Sequence, residues 1–209
     1  MSPSTSLEQH PFPPFMPPGA RYLLIGTFPG RQLTQKPADE RTPDDWYYGT
    51  HKRSLWNILE QVYNRPLPTV AAKQRLLTDL GMGCTDVVLS ARRKQESNRD
   101  ADLVDVTFQA SGLAMLLQHP LQRLYFTSKL VQKWFTGMAT DLQQQGVSIA
   151  QLAVPQQVLP SPSPQYIQYK HDTEEGRLSA YRQLLPPSAP RLTSFPNSRG
   201  TAPTTPHPT

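Results

Sequence analysis

The chain has 209 residues, a net charge of +5, 37% apolar residues and a single cysteine, Cys84. That length supports one domain with a core of its own, and one cysteine excludes both a disulfide framework and any cysteine-cluster metal or iron–sulfur site within the chain. No apolar run reaches the length of a membrane span and the N-terminus lacks a signal-peptide core, so a cytosolic, cytoplasmic protein is expected.

Composition divides the chain unevenly. Residues 1–20 hold six prolines, and residues 186–209 hold seven with no acid. Such segments bury too little surface to offset chain entropy. We therefore expect disorder over 1–19 and 186–209 and a folded domain over 20–185. The last 24 residues contribute Arg191 and Arg199, which leaves +3 on residues 1–185. A mild positive balance permits nucleic-acid binding, and an ordinary basic surface explains it equally well.

Tyr22–Gly26 is a short apolar run ended by Gly and Pro, the pattern of a buried strand. Residues 31–50 read as a long loop ending in Trp46-Tyr47-Tyr48-Gly49. A helix starts at Ser54, with Leu55, Ile58, Leu59 and Val62 at helical spacing, and stops before Pro66. A second helix carries Val70, Leu76, Leu77 and Leu80 and closes at Gly81. Asp86–Ser90 reads as one strand, with Cys84 a buried structural thiol at its start and a polar loop, Ala91–Asp102, after it. Next come a helix near 107–118, a strand over Leu121–Thr127 and an amphipathic helix from Leu130 to Leu142. Residues 147–152 read as a short strand, Val158–Leu159 as a strand entering a Ser/Pro loop, and Asp172–Leu185 as the last helix, with acids at its positive end. Strands alternating with helices predict an α/β domain with a mainly parallel sheet.

In such sheets ligands bind beyond the carboxyl ends of the strands, so the loops there are the candidates for chemistry. Gly26-Thr27-Phe28-Pro29-Gly30 lets backbone approach a ligand and offers Phe28 to stack on a planar ring; an ordinary strand-to-loop turn would look the same. Tyr47-Tyr48-Gly49 with His51, Lys52 and Arg53 suits a base plus a phosphate, or simply an aromatic cover on the sheet. Arg92, Arg93, Lys94 and Arg99 are either phosphate contacts or a solvated loop. Leu159-Pro160-Ser161-Pro162-Ser163-Pro164 is either a stiff wedge against a DNA strand or a Pro-rich connector. No zinc-type spacing, P-loop, nucleophile elbow or Rossmann fingerprint occurs.

Taken in order, these segments resemble the uracil-DNA glycosylase superfamily, most closely its hypoxanthine (deoxyinosine) DNA glycosylase branch and that branch's uncharacterised bacterial relatives. The matching pieces are Leu24–Gly30, Tyr47-Tyr48-Gly49 running into Trp56-Asn57-Ile58-Leu59, Thr85-Asp86-Val87-Val88, Phe126-Thr127-Ser128-Lys129 and Leu159–Pro164. The resemblance implies a three-layer α/β/α sandwich with a short, mainly parallel four-stranded sheet. It also implies a base-excision repair enzyme, monomeric and without metal or cofactor, that acts on DNA containing a deaminated or modified base. Such an enzyme flips the base out and hydrolyses its N-glycosidic bond.

By the same carry-over Gly26, Thr27, Phe28, Pro29, Gly30, Tyr48 and Gly49 form the base pocket. Ser161, Pro162, Ser163, Lys129, Arg92 and Arg93 contact the DNA strand. The catalytic positions depart from the family: Phe28 stands where many members carry Asp or Asn, Arg53 where the hypoxanthine branch carries Asn, and Leu159 where relatives have His or Asn. A guanidinium is no general base, although it can stabilise a departing anion. Arg53, His51 and Asp45, with Asp44 beside it, are therefore the catalytic candidates, and a catalytically weak or inactive damaged-base-binding protein on the same fold is the alternative.

Overall fold

A computed structural model describes residues 6–49, 55–163 and 173–187. Four parallel strands make the central sheet: β2 (Tyr22–Gly26), β3 (Met82–Asp86), β6 (Arg123–Phe126) and β7 (Gln156–Val158), in the order β3-β2-β6-β7. Alternate residues of these short apolar runs face opposite layers, as a sheet covered on both sides requires. Leu24, Cys84 and Tyr125 pack with α2 (Leu55–Tyr63), α3 (Val70–Asp79) and α8 (Glu174–Leu184). Leu23, Ile25, Leu124 and Phe126 pack on the other face with α4 (Ala110–Leu117), α5 (Lys129–Gly137) and α6 (Ala139–Gln144). This is the expected three-layer α/β/α arrangement. Chain order turns back at β2, with β3 on one side and β6 on the other, so the crevice for a ligand opens at the carboxyl end of β2.

Several expectations are corrected. Asp86–Ser90 is not one strand: parallel β3 ends at Asp86, and the chain then enters β4 (Val88–Arg93) of a second, antiparallel sheet. That sheet has the order β1-β4-β5, with β1 at Glu8–Gln9 and β5 at Leu103–Phe108. Ala91–Arg93 is thus strand rather than loop, and Leu103–Phe108 takes the start of the helix expected over 107–118. The 31–50 loop holds a short helix, α1 (Arg31–Thr34), and one 3-10 turn, Ala38–Glu40. Residues 147–152 form helix α7 (Ile149–Leu152) instead of a strand, because Ser148 and Gln151 make a reciprocal capping box. The 130–142 helix is broken at Met138 into α5 and α6.

The N-terminal segment is the largest correction. Residues 6–19 lie on the domain rather than away from it. Glu8 and Gln9 pair with Ala91 and Ser90, and Phe15 exchanges backbone bonds of 2.9 and 2.7 Å with Cys84. Glu8 is buried in an ion pair with Arg93 (3.0 Å) and also accepts from Thr34 and Gln35. Burial alone would raise its pKa, but the Thr34, Arg93 and Gln35 donors outweigh that and hold it below the ordinary carboxylate value. Proline is tolerated here because an edge strap needs few backbone donors. Its apolar residues Phe12, Phe15 and Met16 pack onto the core.

Candidate active site

Gly26 and Asp86 are register partners at the carboxyl ends of β2 and β3. Asp86 is 4% exposed. Its Oδ2 accepts from His10 Nε2 at 3.0 Å, while its Oδ1 is buried without a hydrogen-bond partner. The hydroxyl of Tyr48 is likewise buried and unpartnered. These two atoms converge over one point, since a Cβ built on Gly26 would collide with both. Only glycine lets both oxygens come so close to the backbone there. Burial above all, and then the charge of Asp86, lifts the Tyr48 phenol well above its ordinary pKa, so it remains an O–H donor. A donor and an acceptor thus stand side by side, with Thr127 near the phenol but no well-formed hydrogen bond on either atom, and buried polar atoms are rarely left so except where a ligand or water completes them.

Tyr48 reaches this place at a cost. Its φ is 62°, a left-handed conformation for a bulky residue, followed by Gly49 at 62°. Such strain costs on the order of 1–3 kcal/mol and persists only where surroundings over-determine it. Here an aromatic plate does so: Trp46 stacks on Trp56 at 5.4 Å, and Trp56 Nε1 donates to the Tyr47 carbonyl at 2.6 Å.

The turn after Gly26 is held from β4 and the loop beyond it. Thr27 donates to Asp100 at 2.9 Å. Burial pushes the Asp100 carboxyl up to about 6, against the Thr27 hydrogen bond, with Asp86 adding to the rise and Arg93 opposing it. Arg93 lies 5.6 Å from the centre of the Phe28 ring and donates to the Pro29 carbonyl at 2.8 Å. Arg93 was expected among the DNA contacts. At 2% exposure it is instead buried under the turn, with its charge engaged by Glu8, so it positions Phe28. Phe28 itself is half-buried.

The Leu159–Ser163 loop leaves β7, two strands from β2 and so about 10 Å away along the same edge of the sheet. It is braced from below by α8. Tyr181 donates to the Pro160 carbonyl at 2.8 Å, and the buried Arg177 to the carbonyls of Ser161 (3.4 Å) and Ser163 (3.2 Å). Ser163 is exposed, Ser161 and Pro162 partly so. Lys129 is exposed at the first turn of α5, just past the end of β6. Arg92 is partly exposed and pairs with Asp105 at 3.5 Å.

Gly26 lies against Tyr48, and Gly30 and Gly49 both lie against Gln32. Asp45 does not join them. Its carboxylate is held by Lys36 (2.6 Å) and the Thr42 N–H (2.7 Å), and these donors outweigh burial and keep its pKa low. His51 and Arg53 lie outside the described residues, as do Pro164 and the tail from residue 188. Three groups of this site were not foreseen: Asp86, His10 and Asp100. The sequence did carry a signal for Asp86, a carboxylate inside the otherwise uncharged run Gly83–Leu89. Cys84 is buried, and burial raises its thiol well above the ordinary value, in keeping with a structural residue.

The family model of the uracil DNA glycosylase superfamily matches residues 13–185. The chain belongs to that superfamily. The structure of a candidate uracil DNA glycosylase from Methanosarcina acetivorans superposes with a TM-score of 0.57 at 17% identity, covering 85% of this chain and 98% of that one. At that identity the likeness speaks for the shared fold. No curated protein matches the chain at a significant level. Superfamily members act on DNA, and no helix among the described residues is long and apolar enough to cross a membrane.

Proposed function

We propose that this protein is a monofunctional DNA glycosylase that extrudes a deaminated or modified base and hydrolyses its N-glycosidic bond, with hypoxanthine the first base to test. The observation that carries the proposal is the convergence of the unpartnered Tyr48 hydroxyl and Asp86 Oδ1 over Gly26, beside Phe28. Tyr48 donates to a carbonyl on the base edge and Asp86 accepts from a ring N–H next to it, while Phe28 stacks on the base. A flipped base gives up pairing and stacking worth a few kcal/mol, least when it is mispaired. Asp100, titrating near 6, is suited to hold the attacking water, because a general base works best with a pKa near the working pH. Ser161–Ser163 and Lys129 face the strand backbone.

One observation favours the alternative, a binder that does not cut. Asp45, a carboxylate offered for catalysis, is tied to Lys36 and Thr42. The test is base release from oligonucleotides carrying uracil, hypoxanthine, xanthine or hydroxymethyluracil, read by alkaline strand cleavage. A break that Phe28→Ala abolishes supports the glycosylase. Salt-sensitive binding with no abasic product favours the binder.

A further inference from the structure

We infer that His10 is a positioning residue of this site: it holds Asp86 by its Oδ2 so that Oδ1 stays aimed over Gly26. The inference rests on the site proposed above. His10 precedes the segment that the family model matches, which begins at residue 13.

The geometry is closed on every side. The His10 side chain is 1% exposed and Asp86 5%. The strap is fixed just before it by β1 and by the His10 N–H donating to the Leu89 carbonyl at 2.8 Å. Its ring centre lies 5.3 Å from that of Tyr47 and 6.1 Å from that of Phe28. It therefore touches both the ring proposed to stack on the base and the carboxylate proposed to read its edge. Nδ1 meets the Phe12 carbonyl at 2.9 Å and the Phe12 N–H at 3.2 Å. One backbone residue thus offers an acceptor and a donor at the same ring nitrogen. With Nε2–H on Asp86, Nδ1 accepts from the Phe12 N–H. Among the described residues, Tyr47 and Tyr48 from the aromatic turn, Cys84 on β3 and Asp100 feel the charge of Asp86, and Glu8 on the strap is paired with Arg93.

A buried carboxylate with one oxygen unpartnered needs the other one fixed, or it rotates and offers the wrong edge. His10 supplies that restraint through its Nε2–H. The chemistry is the familiar one in which one ring nitrogen is set by what the other bonds.

Two substitutions in the full chain separate positioning from packing. His10→Phe keeps a ring but loses the donor, and His10→Gln keeps a donor to Asp86. Single-turnover base release should fall at least about tenfold in His10→Phe, with DNA affinity within about twofold of wild type, and should recover to within about threefold in His10→Gln. A His10→Phe protein as fast as wild type, or a His10→Gln protein as slow as His10→Phe, overturns the inference and leaves the glycosylase reading intact. Nitrogen NMR of the His10 ring gives a readout that needs no activity. Nε2 should carry a proton throughout, and its signal should move in Asp86→Asn and on addition of a hypoxanthine-containing oligonucleotide. A ring signal indifferent to Asp86→Asn overturns the inference even if every variant is inactive or unfolded. Wild type inactive on every base would sink the glycosylase reading alone; if its His10 signal nevertheless moved with the oligonucleotide, the positioning role would stand in a binding site.

Discussion

The two loops at the carboxyl edge of the sheet are built on opposite plans. At the Leu159–Ser163 loop, the carbonyls of Pro160, Ser161 and Ser163 are all engaged from within by Tyr181 and Arg177, although Arg177 Nε itself is left buried without a partner. At the Gly26–Gly30 turn, bracing stops one shell short: Arg93 and Asp100 hold the turn, yet Tyr48 and Asp86 present bare polar atoms over it. A satisfied loop can push against a partner without rearranging. An unsatisfied one gains free energy when a partner arrives, because the cost of burying those atoms has already been met. The pair teaches that rigidity and readiness to bind are separable, and that a Gly/Pro-rich sequence encodes either.

Gly26→Ala should break the comparison most severely. The new methyl must displace Asp86 or Tyr48, costing about 2–4 kcal/mol of stability, and base release should drop below detection. Denaturant melts and the cleavage assay check both. Arg177→Met comes next. It keeps the bulk of the side chain but strips the Ser161 and Ser163 carbonyls of their donor, for a loss of about 2 kcal/mol. DNA affinity, read by fluorescence anisotropy, should weaken about tenfold while free folding stays cooperative; unchanged affinity would show that the loop's stiffness has no part in binding.

Asp100→Asn sharpens the other side. The folded carboxyl is raised to about 6 from an ordinary 3.8, so the wild type loses stability as pH climbs from about 4 to about 6 and the carboxylate is forced to ionise while buried. The Asn variant escapes that cost. It should be more stable by about 2 kcal/mol at pH 7.5, somewhat below the full shift because the side chain is not wholly shielded, and should equal wild type below about pH 4. Paired melts across that range test the sign, and a variant no more stable at pH 7.5 would show that burial does not raise the Asp100 carboxyl. The same substitution should slow base release. Tyr181→Phe is the mildest, about 1 kcal/mol for one hydrogen bond to Pro160, with DNA affinity down about two- to threefold on the same anisotropy measurement.

The alternation of strands and helices was legible because it follows from apolar periodicity. β2, β6, α2, α3 and α8 all lie where the pattern predicts. What was hidden depends on the far side of each contact. Asp86-Val87-Val88-Leu89-Ser90 is one apolar run, and nothing local says that Asp86 ends a parallel strand while Val88 begins an antiparallel one in another sheet. The Pro-rich start reads as too poor to fold alone, but Phe12, Phe15 and Met16 need only an existing surface. Asp86 looked like a strand's first residue until His10, 76 positions away, gave it a partner. Ser148-x-x-Gln151 was in plain view as a capping box, and the strand expected there ignored it.

The buried pair between Glu8 and Arg93 spans 85 positions, and this sets an order of events during synthesis. When Glu8 leaves the ribosome its partner has not been translated, and β4, on which the strap must lie, does not exist. At typical elongation rates of about 5–20 residues per second, at least several seconds separate the two. The strap therefore cannot dock until β4 has been made, and the first residues translated must wait for a sheet edge 85 positions further on. A nascent chain that ends short of β4 holds His10 and Phe28 but no edge on which the strap can lie. Competence at this site should therefore not begin before β4 has left the ribosome.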